Sequence, residues 1–264
     1  MSTDSPTAPL KVIKIGGNVV DNPEALTRFA LDFTRLEGPK LLVHGGGKEA
    51  TRLSQALGIP TQMIDGRRVT DRATLDVVTM VYAGLVNKRV VALLQSLGVN
   101  AMGLSGADAN AIRATRRNPV PIDYGYVGDI SAAGVNAPII KHLTLAGITP
   151  VFCAITHDGD GTLLNCNADS VASAIAKGCA SVMDVELIYC FEKDGVLTDV
   201  DRPDSLITHV NPEIFADLRA KGVVSAGMIP KLQNALEAIS CGVKSVTIKN
   251  AANLLSDRGT VITA

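Results

Sequence analysis

The sequence predicts an α/β fold in which a parallel sheet is covered by helices on both faces. Short apolar runs alternate with amphipathic stretches along the chain. The first two runs end in glycine clusters that precede helices, the strand-loop-helix rhythm of parallel sheets. From about residue 10 to the end, no repeat, low-complexity tract or linker interrupts the pattern.

Residues 11–15 read as a buried strand, and residues 23–36 as a helix with proline near its start. Residues 40–43 form a second strand, followed by His44-Gly45-Gly46-Gly47 and a helix to about Leu57. Residues 71–97 make one long helix or two in line, with Asp71 placed to cap the first turn. Between Val77 and Val86 this helix is apolar nearly all round, with Leu75, Val78, Tyr82 and Leu85 at helical spacing. A helix apolar on every side is buried on every side. One stripe can pack on the sheet; the other needs a cover, and a second subunit would serve. Residues 111–130 read as a β-hairpin whose arms, 112–115 and 124–129, flank Asn118-Pro119. Residues 136–147 are a helix, 149–154 a strand, 167–177 a helix ending at Gly178, and 185–191 a strand. Segments 212–220, 230–240, 245–248 and 260–263 complete the alternation.

The 264 residues suffice for one large α/β domain or two lobes sharing a core. The charges nearly cancel at a formal −1, so there is no broad basic field for nucleic acid. Any bound phosphate must be held by a few local groups. Cys153, Cys166, Cys179, Cys190 and Cys241 are scattered, odd in number and free of a C-x-x-C pair. They suggest reduced thiols serving as small apolar fillers in a cytoplasmic protein. Residues 1–9 are polar, lack the features of a signal peptide and read as a frayed tail. No later stretch is read as long enough to span a membrane.

Five motifs carry chemistry. Lys14-Ile15-Gly16-Gly17 closes the first strand, where α/β sheets bind ligands. A lysine there needs a negative partner, and two glycines let amides approach a phosphate; the plain alternative is a turn with a surface lysine. His44-Gly45-Gly46-Gly47 repeats the arrangement as an amide cradle at a helix start, with His44 structural and no second histidine at metal spacing. It is neither a P-loop nor a dinucleotide fingerprint. Gly66-Arg67-Arg68-Val69-Thr70 offers a guanidinium fork for a carboxylate, unless both arginines are simply solvated. Asn165-Cys166-Asn167-Ala168-Asp169 opens a helix that Asn167 can cap, and its polar residues can organise a ligand or a lysine. In Gly227-Met228-Ile229-Pro230-Lys231 a lysine sits in a first helical turn, which is unfavourable unless a polyanion is shared.

In this order the five motifs resemble the amino acid kinase family from about Val12 to the C-terminus, and the third and fourth together resemble its acetylglutamate kinase branch. The resemblance implies a three-layer α/β/α sandwich, carbamate kinase-like, with a mainly parallel sheet. Residues 1–10 would be a tail, 11–180 a lobe for the acylglutamate and dimerisation, and 181–264 a lobe for ATP. It implies ATP-dependent phosphorylation of the γ-carboxylate of N-acetyl-L-glutamate in arginine biosynthesis, with N-succinyl-L-glutamate as the alternative acceptor. By motif, Lys14 and Lys231 match the lysines on the transferring phosphoryl group and Asp169 the carboxylate that positions them. Gly46, Gly47, Arg68 and Asn165 match acceptor-binding residues. Gly16, Gly17, Gly46, Glu192, Gly195, Leu197, Ser225 and Lys231 match the ATP site. Mg²⁺ would be held by ATP phosphates and water, with no metal ligands from the protein. The sequence departs from the family at Phe191-Glu192-Lys193-Asp194-Gly195, where Thr-Asp-Val is usual before the glycine, and at Ala107, where lysine is frequent. About ten residues precede the first strand, too few for the extra helix linked with hexamers and arginine feedback, so a homodimer insensitive to arginine is expected. The competing readings are another small-acid kinase of the same fold and a non-catalytic nucleotide sensor.

Overall fold

The computed structural model of the chain describes residues 8–199, 202, 204–223 and 228–264. Among them, eight strands form the central sheet: β1 (Leu10–Ile15), β2 (Lys40–His44), β3 (Ala101–Leu104), β4 (Thr149–Cys153), β5 (Val185–Phe191), β6 (His209–Val210), β7 (Ser245–Asn250) and β8 (Thr260–Ile262). Their order is β6-β8-β7-β5-β1-β2-β4-β3. Every pair is parallel except β7 with β8, so β6 and β8 run against the rest. The longer helices are α1 (Pro23–Arg35), α2 (Gly47–Ala56), α3 (Arg72–Thr79), α4 (Asn87–Ser96), α5 (Ala137–Leu145), α6 (Ala168–Cys179), α7 (Pro212–Ala220) and α8 (Ile229–Ser240), and a single helical turn, Gly17–Val20, follows β1.

Alternate residues of β1 feed two cores, one on each face. Leu10 and Val12 pack with Val171, Ala172 and Ile175 of α6. Ile13 and Ile15 pack with Phe29, Ala30 and Phe33 of α1. This is the expected three-layer sandwich. Phe33 is fully buried, and its truncation to alanine would cost about 3–5 kcal/mol. Asn22 and Asn167 cap α1 and α6, each side chain accepting from first-turn amides.

The long helix is continuous, with a π-helical stretch, Met80–Val86, between α3 and α4. Asp71 Oδ1 accepts from the Thr74 amide at 2.7 Å, the expected cap. Val77, Val78, Val81, Tyr82 and Val86 enter the first core, whereas Val90 and Leu94 enter the second. The helix thus passes from one layer to the other, which accounts for most of its all-round apolarity. Met80, Gly84 and Leu85 remain exposed. The expectation about membrane-span length needs correction: Arg72–Ser96 is a 25-residue helix long and apolar enough by length and composition. Serving two cores gives a helix the same composition.

Several elements differ from the sequence reading. β3 is absent from that reading because Ala-Met-Gly-Leu contains no β-branched or aromatic residue. The 111–130 hairpin pairs only Thr115–Arg116 with Gly128–Asp129. A second hairpin, Ile155–His157 with Leu163–Asn165, delivers Asn165 on a strand end just ahead of α6. β1 lies between β2 and β5, so successive connections leave it on opposite sides. Such a switch point opens a crevice beyond the strands' carboxyl ends.

Candidate active site

Two cavities open in that crevice. The first, about 310 Å³, is lined by Lys14, Gly46, Gly47, Arg68, Asn165 and Asp169. The second, about 380 Å³, is lined by Phe191, Glu192, Lys193, Gly195, Met228 and Lys231. Gly16, Gly17 and Lys48 belong to both. The wall they share follows from sequence: Gly16-Gly17 comes directly after β1, and Lys48 comes directly after the Gly45-Gly46-Gly47 triplet that follows β2 and lines the first cavity.

The second glycine loop is fixed from below. His44 is fully buried, with Nδ1 2.7 Å from the Gly45 carbonyl and Nε2 3.0 Å from Asn87 Nδ2. Asn87 Nδ2 also donates to the Val151 carbonyl at 2.9 Å. The amide is the donor, so Nε2 accepts and Nδ1–H donates to Gly45. Burial pushes the His44 imidazole down to about 4, keeping it neutral. Its role is structural. At Gly46 a Cβ would stand 2.9 Å from the Tyr82 ring, so the helix packs directly on this loop's backbone.

The cations stand where the cavities meet. Lys14 is buried, with Nζ 2.7 Å from Asp169 Oδ1, an ion pair without hydrogen-bond alignment. Lys231, in the first turn of α8, has its ammonium 3.9 Å from the Phe191 ring centroid. Burial lowers the Lys231 pKa; Asp169 opposes this and Lys14 adds to it. Lys48 is absent from the sequence reading although it follows the glycine triplet. It donates to Asn18 Oδ1 and lines both cavities. A lysine in a first helical turn, the signal that marked Lys231, marks Lys48 equally.

The first cavity also holds two buried polar side chains. Arg68 Nη2 donates to the Gly47 carbonyl at 2.9 Å and to Thr51 Oγ1 at 2.8 Å. Arg67 lines the cavity too. Asn165 Nδ2 donates to Thr70 Oγ1 at 3.0 Å, while that hydroxyl donates to the Arg68 carbonyl. This fixes the amide orientation and leaves Asn165 Oδ1 buried without a partner. An orphaned acceptor in a cavity calls for a donor from a ligand.

On the other side, Glu192 and Gly195 line the second cavity. Gly195 is required there, because a Cβ would meet Thr260 Oγ1 at 2.5 Å. Leu197 lies instead in a short hairpin, Val196–Leu197 with Leu206–Ile207, and lines neither cavity. Ser225 lies outside the described residues, as does Gly227. Four of the five cysteines are buried, and burial pushes Cys153, Cys179 and Cys190 up to about 12, consistent with filler thiols.

Residues 9–250 match the family model described as the amino acid kinase family. The chain belongs to the amino acid kinase family. Within it, the chain is 51% identical over 253 residues to an acetylglutamate kinase of Phocaeicola vulgatus, covering 96% of this chain and 98% of that one. It is 52% identical over 248 residues to an acetylglutamate kinase of Cytophaga hutchinsonii, covering 93% of each. A carbamate kinase from Giardia lamblia bound to AMP-PNP shares the fold with a TM-score of 0.67 at 15% identity, covering 97% of this chain and 98% of that one. The carbamate kinase-like architecture is therefore that of the family, and the two cavities lie in its sheet crevice.

Proposed function

We infer that this protein phosphorylates the γ-carboxylate of N-acetyl-L-glutamate with ATP, as the names of its half-identical relatives indicate. The observation that carries the reading is the junction of the two cavities, where Lys14, Asp169 and Lys231 meet beside Gly16 and Gly17. We assign the acceptor to the first cavity, within residues 11–180, and ATP to the second, built largely by residues 181–264. Arg68 would take the α-carboxylate of the acceptor, and Asn165 Oδ1 would accept from its acylamino N–H. Gly46 and Gly47 would flank the γ-carboxylate.

A carboxylate is ionised at neutral pH and attacks phosphorus without a general base. The reaction therefore needs positioning and neutralisation of charge on the phosphoryl oxygens. Lys14 and Lys231 supply two cations, Asp169 orients Lys14, and the amides of Gly17 and Gly46 complete the cradle. Mg²⁺ carried on the ATP phosphates and water would add charge neutralisation on the nucleotide.

The product belongs to arginine biosynthesis, and the protein would act in the cytoplasm as a homodimer. The exposed Met80, Gly84 and Leu85 of the long helix are the surface for that pairing; light scattering should then give about twice 27.6 kDa. The function is tested by ADP release with N-acetyl-L-glutamate, N-succinyl-L-glutamate, glutamate and no acceptor. N-acetyl-L-glutamate should give the highest kcat/KM. Equal ADP release without acceptor would overturn the assignment.

A further inference from the structure

Phe191 ends β5 between the two lysines. Its ring centroid lies 3.9 Å from Lys231 Nζ and 5.0 Å from Lys14 Nζ, both within cation–π range. Tyr189, two residues earlier on the same face of the strand, stacks on it with centroids 5.9 Å apart and planes at 17°. The Tyr189 hydroxyl donates to the backbone carbonyl of Asp169 at 3.3 Å, so the aromatic pair is tied to the start of α6. Groups from β1, α6 and α8 therefore converge on one ring.

The charges explain why an aromatic side chain suits this position. Two ammonium groups share the site, and Asp169 pairs closely with Lys14. Before the polyphosphate arrives, Lys231 faces a second cation and is partly desolvated. An aliphatic side chain here would desolvate it without return, whereas the negative face of a π-system attracts it. We propose that Phe191 is a positioning residue whose ring holds the Lys14 and Lys231 ammonium groups together in the nucleotide-free site, so that both meet the phosphoryl group already in place. The role of the pair rests on the kinase reading above; the placement of the pair does not.

The titratable and charged groups around Lys231 are Lys14 from β1, Asp169 from α6 and Tyr189 beneath the ring, with Lys48, Glu192 and Lys193 lining the same cavity. Removing the ring leaves the desolvation and the Lys14 repulsion in place. Lys231 should then lose its proton at lower pH.

The test compares wild type with Phe191→Leu and Phe191→Tyr. Phe191→Leu should lower kcat/KM for ATP by roughly 5- to 30-fold and move the alkaline limb of its pH profile to lower pH. Phe191→Tyr should restore most of both. Independently of turnover, lysine side-chain NMR of the nucleotide-free protein should show Lys231 titrating at lower pH in Phe191→Leu than in wild type. An unchanged titration and alkaline limb, with only ATP affinity lost, would make Phe191 a nucleotide-packing residue and overturn the proposal. So would Phe191→Leu behaving as wild type throughout. If wild type releases no ADP with any acceptor, the kinase reading fails while the NMR titration still decides for or against Phe191. If thermal melts show Phe191→Leu unfolded, Phe191→Met is judged by the same criteria.

Discussion

The two cavities are built from different materials. In the first cavity, proposed for the acceptor, Arg68 and Asn165 are buried and already held by Gly47, Thr51 and Thr70, with one acceptor atom left open. In the second cavity, proposed for ATP, the walls are an aromatic ring, backbone at Gly195, and exposed Glu192 and Lys193. On the proposed assignment, selectivity for the acceptor sits in the first cavity. A small acid is discriminated by buried groups that stay unpaired unless the right partner arrives. A polyphosphate is held by charge, which tolerates more solvent and more sequence change. The Phe191–Gly195 departure from the family pattern falls in the second cavity.

The largest expected effect breaks the junction that both sides share. Lys14→Ala or Lys231→Ala should each cut kcat by roughly 100-fold or more, with circular dichroism melts near wild type for Lys231→Ala. Turnover close to wild type in both variants would remove the lysines from the mechanism. Next, Arg68→Lys should raise the KM for N-acetyl-L-glutamate by about tenfold while leaving that for ATP unchanged, because an ammonium cannot hold both Gly47 and a bidentate carboxylate. A rise for ATP instead would erase the distinction between the cavities. Gly46→Ala should cost about 1–3 kcal/mol of stability in chemical denaturation, since its Cβ must displace the Tyr82 ring.

A further effect concerns pH. The His44 pKa is depressed in the folded state from 6.5 to about 4, so the unfolded chain takes up the proton first on acidification. Its contribution to stability is full above pH 6.5 and declines towards pH 4, by about 1.4 kcal/mol per pH unit at most. Denaturation midpoints of wild type should fall across that window more steeply than those of His44→Gln.

What sequence made legible was local. The glycines after β1 and β2, the caps Asp71 and Asn167, and the misplaced Lys231 each announce themselves within a few residues. The contacts that assemble them are remote. His44 meets Asn87 across 43 residues, brought there by a helix whose π-helical stretch no periodicity reveals. Asn165 meets Thr70 across 95 residues. Phe191 was visible only as a departure from a pattern, because nothing in sequence says that two lysines will share its ring. β3 and the short strand β6 were silent, having too few β-favouring residues to stand out.

A junction that transfers a phosphoryl group to a carboxylate must make an acyl phosphate. Wild type incubated with ATP, Mg²⁺, N-acetyl-L-glutamate and hydroxylamine should accumulate a hydroxamate in step with ADP, because an acyl phosphate is the species hydroxylamine traps. ADP formed without hydroxamate would mean that no carboxylate is phosphorylated there, and hydroxamate formed equally from free glutamate would mean that the acyl group is not recognised.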